Sequence, residues 1–283
     1  MLSGTVMNIL RIFLLTCAIT VAVPANSECA GDIVRIGGMG SGLGVMKILG
    51  TAFEKKNPGT KVQVLPSLGS TGGIKAVAKG ALDIGVSARP VKDEEKNYGL
   101  VSAEYAETPF VIVTRKDTSA SGLSTEDLVR IYDGRLRTWE DGRRIRPVLR
   151  PEEDMDTHLV KRLSPEMYKA MDAAMSSEGM VRAVTDQDAS NAVEKTPGAI
   201  GFSTLGQVIT EKRPLKILSL NGILPTASAL SNGSYKLKKK LFIITRPGSS
   251  VKVRSFLDFV KSPAGSKILA ESGFIVNLQK TGQ

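Results

Sequence analysis

Residues Pro66 to Pro90, PSLGSTGGIKAVAKGALDIGVSARP, decide the fold of this chain. A short apolar strand, Val62-Gln63-Val64-Leu65, leads into them. The loop Gly69-Ser70-Thr71-Gly72-Gly73 then places flexible backbone and hydroxyls just ahead of a helical pattern at Ile74, Val77 and Ala78. N–H groups at a helix start have no intrahelical acceptor and lie at the positive end of the helix dipole, so they bind anions. A second short strand, Leu82 to Val86, delivers Ser87 and Arg89 beyond its carboxyl end, where open α/β sheets hold their ligands. Strand, loop, helix and strand in this order read as half of an oxyanion site. Taken alone, the stretch reads better as a plain turn followed by a solvated arginine, because Gly- and Ser-rich loops are common.

The same grammar precedes it. Asp32 to Ile36 reads as a strand, Gly37 to Gly44 as a Gly-rich loop, and Val45, Ile48, Leu49, Ala52 and Phe53 as one face of a helix stopped by Asn57-Pro58-Gly59. This loop has neither a G-x-G-x-x-G in register nor a G-x-x-x-x-G-K-[ST], and no acid ends the following strand to hold a ribose, so nucleotides are set aside. Ser41, with Gly42 beside it, is a candidate ligand contact or a plain helix cap.

Further along, Thr108 to Thr114 reads as a strand buried on both faces, and Asp117 to Gly122 as a small-residue hinge between domains. Ser124-Thr125-Glu126-Asp127 is a capping-box-like start for a helix bearing Leu128, Ile131 and Tyr132. Trp139 is expected in a domain core. Ile145 to Leu149 reads as a strand ending on Arg150, followed by Glu152, Glu153, Asp154 and Asp156 and a helix that starts near His158. Strand end, arginine and helix start thus recur. Ionised acids beside an arginine neutralise it and repel an anion, although they also favour a helix N-terminus. Glu152, Asp154 and Asp156 lack the glycine and distant glutamate of a calcium loop, so no metal is expected. Met167, Met171, Met175 and Met180 read as core packing on one helical segment. Helices alternate with the strands Ala199–Phe202 and Leu215–Leu220, which argues for parallel sheets. Lys236, Lys238, Lys239 and Lys240 read as a solvated face before the strand Leu241–Thr245, and only 5% of residues are aromatic, so no stacking platform for nucleic acid is expected.

The N-terminus is of another kind. Met1 to Arg11 carries one positive charge, Ile12 to Val23 is apolar, and Ala25-Asn26-Ser27 suits cleavage, the pattern of a secretory signal peptide. The apolar run is short for a membrane span. Removing residues 1–27 takes away Arg11 and no acid, so the formal charge passes from +10 to +9. Cys29 then remains as the only thiol, which excludes an internal disulfide; it is read as unmodified rather than lipidated, because Ser27-Glu28 suits lipidation poorly.

Together these segments resemble the phosphate-binding family of periplasmic solute-binding proteins that serve ABC transporters, within the type II periplasmic binding protein superfamily. The matching pieces are GMGSGLG with AFEKKNPG, SLGSTGGI, DIGVSAR, LVRIYDGRLRTWEDG leading into IRPVLR, VEKTPGAIGFSTL and VRSFLDFVKSPAGSKIL. The resemblance implies an α/β fold of two lobes joined by two crossing strands, with residues 28–110 and 246–283 in one lobe and 111–245 in the other. It implies a small, phosphate-like anion bound between the lobes, delivery to an inner-membrane ABC permease, a periplasmic location and no cofactor. Position by position, Ser41 matches the first-loop hydroxyl, Ser70 the second-loop hydroxyl and Arg150 the second-lobe arginine. With the local readings, the expected ligand-binding set is Ser41, Gly42, Ser70, Thr71, Gly72, Ser87, Arg89, Arg150 and Asp154. Two departures stand out: the family's phosphate-accepting aspartate is Ala88 here, and its Ser-Gly-Thr is Asp154-Met155-Asp156. They leave open whether the ligand is phosphate, another anion, a carboxylate or a hydroxylated solute.

The rival classes are an enzyme and a basic surface binder of anionic polymers or lipid headgroups. For the first, His158 has no nucleophile beside it in sequence and no G-x-S-x-G elbow occurs, so no catalytic residue is assigned. The second rests only on the +9 charge. No coiled-coil heptad or long apolar stripe stands out, which favours a monomer.

Overall fold

The computed structural model describes residues 32–276. The expected leader and Cys29 lie outside them. The first units follow the sequence pattern: β1 (Asp32–Gly38), α1 (Leu43–Lys56), β2 (Thr60–Ser67), α2 (Gly69–Ala78) and β3 (Ile84–Ser87). β1 is central and parallel to both β2 and β3. Next comes β4 (Val101–Arg115), which begins well before the apolar run visible in sequence.

The middle of the chain contributes β5 (Gly122–Leu123), α3 (Thr125–Tyr132), β6 (Arg146–Leu149), α4 (Met155–Lys161), α5 (Pro165–Ser176), β7 (Val181–Arg182), α6 (Asp186–Lys195), β8 (Ala199–Thr204), α7 (Leu205–Thr210), β9 (Leu215–Leu220) and α8 (Ala227–Ser231). The chain then returns through β10 (Lys238–Thr245) and finishes with α9 (Val251–Lys261), α10 (Pro263–Glu271) and β11 (Ile275–Val276). The strands form one path, β2-β1-β3-β10-β4-β8-β6-β7, with β5, β9 and β11 branching from it.

The sheet is mixed, and this corrects the parallel expectation. β6 runs parallel to β7 and β8, but β10 is antiparallel to β3 and β4, and β4 is antiparallel to β8 and β9. The reason is topological: a strand that leaves one lobe and a strand that returns to it must run in opposite directions.

β4 serves two lobes. Its first half pairs with β10, from Val101 opposite Thr245 to Pro109 opposite Lys238, and its second half pairs with β8 and β9. In the first lobe α1, α9 and α10 pack on one sheet face through Leu49, Phe53, Phe256 and Leu269, while Ile74 and Val77 of α2 cover the other. In the second lobe the two-residue period of β4 divides the core: Phe110 and Ile112 face α3 and α5, whereas Val111 and Val113 face α6. Trp139 is buried as expected, its indole N–H donating to the Gly198 carbonyl at 3.0 Å. Met167 and Met171 are core residues, but α5 stops at Ser176, so Met180 packs against that core from outside the helix. No helix among the described residues is long and apolar enough to cross a membrane.

Candidate functional site

Three first-lobe loops meet at the carboxyl ends of β1, β2 and β3. Gly38 takes φ +126°, and a Cβ there would stand 2.2 Å from the Val86 carbonyl oxygen. This glycine lets the loop fold over β3, where the Met39 N–H donates to Val86 O at 2.8 Å. Gly38 O in turn accepts from the Leu68 N–H at 3.0 Å, tying the first loop to the second. α2 starts at once, and Leu68 supplies no side-chain cap. The N–H groups of Ser70 and Thr71 therefore lie in a first turn with no intrahelical acceptor.

The hydroxyls here have a defined sense. Ser70 Oγ accepts from the Ala88 N–H at 3.0 Å, and Thr71 Oγ1 accepts from Arg89 Nη2 at 3.0 Å, so each keeps its own proton to donate. Arg89 is held bidentately by Glu95 at 2.7 and 2.9 Å. The Arg89 hydrogen bond in turn keeps the Glu95 carboxyl below its ordinary range in spite of burial. The positive charge of Arg89 is thus matched inside the first lobe.

The second lobe presents acids. Asp154 caps α4 by accepting from the Asp156 N–H at 2.9 Å, and Arg150 donates to it at 2.7 Å. Arg150 also donates to the Ala183 carbonyl at 3.1 Å. Behind them Lys239, only 2% exposed, forms ion pairs with Asp156 and, at 3.0 Å, with Asp186. Burial opposes the Lys239 charge, but Asp156 and Asp186 outweigh it and raise the ammonium above its usual range. Burial pushes the Asp156 carboxyl up to about 6, Lys239 offsetting part of the effect. Asp186, also buried, is held low by Lys239 and Arg150.

A pocket of about 210 Å³ lies between these walls. Gly69, Ser70, Thr71, Ala88 and Arg89 line it from the first lobe, and Glu153, Asp154 and Asp186 from the second, with Lys239 from the return strand. Of the residues expected at the site, Ser70, Thr71, Arg89 and Asp154 come together here. Arg150 stands behind Asp154 instead of on the wall. Ser87 is fully buried, its Oγ donating to the Arg89 carbonyl at 2.6 Å, and Gly42 is a packing position, where a Cβ would meet Val86. Ser41 is buried, with no hydrogen-bond partner for its Oγ among the described residues. Gly72 belongs to the α2 start without lining the pocket.

One expectation changes. The lysine run is not wholly a solvated face, because Lys239 is buried in the site. Glu152, Asp154 and Asp156 do not converge on a common centre: each is taken by its own cation, Lys161, Arg150 and Lys239 respectively. Among the described residues no His, Cys, Asp and Glu cluster has the arrangement of a metal site.

Lys239, Asp186 and Glu95 were not singled out from sequence. For Lys239 a signal existed, since the inward set Leu241 and Ile243 extends back by the strand period to residue 239. For Asp186 the cue was the Thr185 and Asp188 capping box, which starts α6 two residues earlier than its apolar pattern suggests.

Two α/β lobes on shared crossing strands, with a polar pocket at the strand ends, define a bilobal solute-binding fold. The family described as the PBP superfamily domain matches residues 23–264, and the chain belongs to it. It is similar to the phosphate-binding protein PstS of Borreliella burgdorferi, 25% identical over 250 residues covering 86% of this chain and 89% of the relative. PstS of Bacillus subtilis is 28% identical over 236 residues, 79% of this chain and 73% of the relative. Among solved structures, a Clostridium perfringens protein with bound phosphate superposes with TM-score 0.72 at 23% identity, covering 87% of this chain and all (100%) of the other. The ABC-type phosphate transport receptor of Vibrio cholerae gives 0.59 at 22% identity, with the same 87% and 100% coverage. At such identities the structural likeness speaks to the fold.

Proposed function

We propose that this protein is an extracytoplasmic solute-binding protein that captures a small oxyanion, phosphate foremost, between its lobes and delivers it to an inner-membrane ABC permease. The observation that carries this is the set of Ser70 and Thr71 donors at an uncapped helix start, lining the pocket between the lobes. The PstS relatives support phosphate. In this reading residues 1–27 are a cleaved leader, the mature protein is a periplasmic monomer, and it catalyses no turnover. The lobes divide near Phe110 on the outgoing strand. On the return strand the boundary falls near Lys238 and not at Thr245, since Leu241 and Ile243 pack in the first core.

The energy suffices. Each hydrogen bond to a charged group contributes roughly 1.5 to 3 kcal/mol, and micromolar affinity needs only about 8. Titration calorimetry of the purified protein with phosphate tests the proposal. Saturable binding is expected, weakened roughly tenfold or more by Ser70→Ala and by Thr71→Val, and a melting temperature that rises with ln(1 + [L]/Kd). Absence of phosphate binding would move the assignment to another anion or carboxylate on the same fold, for which the acids lining the pocket speak. Binding only to anionic polymers or vesicles, weakening steeply with salt, would replace it by surface binding.

A further inference from the structure

We propose that the preferred ligand pairs its oxyanion with a cationic amine across a short aliphatic spacer, as in an amine-bearing phosphate monoester or phosphonate. This rests on the pocket being the ligand site.

The pocket is bipolar. One wall offers donors, the Ser70 and Thr71 hydroxyls and the α2 N-terminus, and suits an oxyanion. The opposite wall offers Glu153 and Asp154. Glu153 has no ion pair or hydrogen bond among the described residues, so its carboxylate is unmatched. The local charge points the same way: Glu95, Glu153, Asp154, Asp156 and Asp186 outnumber Arg89, Arg150 and Lys239. A bare dianion would meet uncompensated negative charge there, whereas a zwitterion matches both walls.

Size and surface agree. At about 30 Å³ per water the pocket has room for roughly seven waters, more than a five-atom inorganic oxyanion fills. Two apolar side chains on its lining, Leu68 at 49% and Val184 at 73% exposed, come from opposite lobes. Side chains of that kind left open to water match a methylene spacer.

The test compares inorganic phosphate, ethyl phosphate and 2-aminoethyl phosphate by calorimetry on the wild type, Glu153→Gln and Asp154→Asn; asparagine keeps the α4 cap. The expected result is 2-aminoethyl phosphate binding about tenfold or more tighter than ethyl phosphate and tighter than phosphate. The acid variants should cut that preference by about fivefold or more without weakening ethyl phosphate binding, since each removes a negative charge from the wall opposite the anion donors. Equal affinities, a preference for inorganic phosphate, or a preference untouched by both variants would overturn the zwitterion assignment and leave the receptor reading standing. Failure of all three probes to bind would sink both.

Discussion

Lys239 stands in a run of lysines, yet its neighbours Lys238 and Lys240 reach outward to Glu107 and Glu104 while it reaches inward to Asp156 and Asp186. Removing one partner of a buried ion pair leaves the other charge uncompensated. Lys239→Met should therefore cost about 3 to 5 kcal/mol in urea unfolding, whereas Lys240→Met, which breaks a pair whose lysine is half exposed, should cost no more than about 1. Equal losses would remove the distinction. Asp156 adds a pH signature. Its folded pKa of about 6 lies above the ordinary 3.8, so the native state binds the proton more readily than the unfolded chain. The stability it contributes is fully present below about 3.8 and is lost as pH rises through about 6. Between about pH 7 and pH 5 the wild type should thus gain stability relative to Asp156→Asn, read as a shift in urea midpoint; a shift of opposite sign would contradict the assignment.

At the level of elements, the loop after β1 depends on Gly38. An alanine there would be strained at φ +126° and would drive its methyl into the Val86 carbonyl. Gly38→Ala should lower stability by about 1 to 3 kcal/mol and weaken ligand binding as well, because the Gly38 carbonyl ties the loop from β1 to the loop from β2 through the Leu68 N–H. Calorimetric titration alongside thermal unfolding checks both, and unchanged binding would detach this loop from the site. Elements of this kind were legible wherever local chemistry decided them. Ser124 caps α3 by accepting from the Asp127 N–H at 3.0 Å, as its sequence suggests. The early half of β4 was not legible, since Val101 to Glu107 gains its strand character from pairing with a segment far along the chain. The site was half legible for the same reason. Ser70 and Thr71 lie on a local motif, but the matching of Arg89 by Glu95 and of Lys239 by two acids arises only when distant segments meet.

The molecule as a whole is one lobe inserted into another. The first core draws on residues from Val34 to Ala106 and again from Leu241 to Phe274, while the second lobe's cores lie within Phe110 to Tyr235. α6 closes against the first lobe at the pocket, Gln187 donating to the Gly40 carbonyl at 3.0 Å. This split ancestry of the first core bears on how the protein acquires its shape when the chain is delivered amino end first, by a ribosome or through a translocation channel. β3 and the first half of β4 must wait for β10, so the earlier-made half remains an open-edged sheet while the inserted lobe already holds every segment it needs. Maturation thus runs against the order of synthesis: the middle of the polypeptide can settle first, and the beginning is completed by the end.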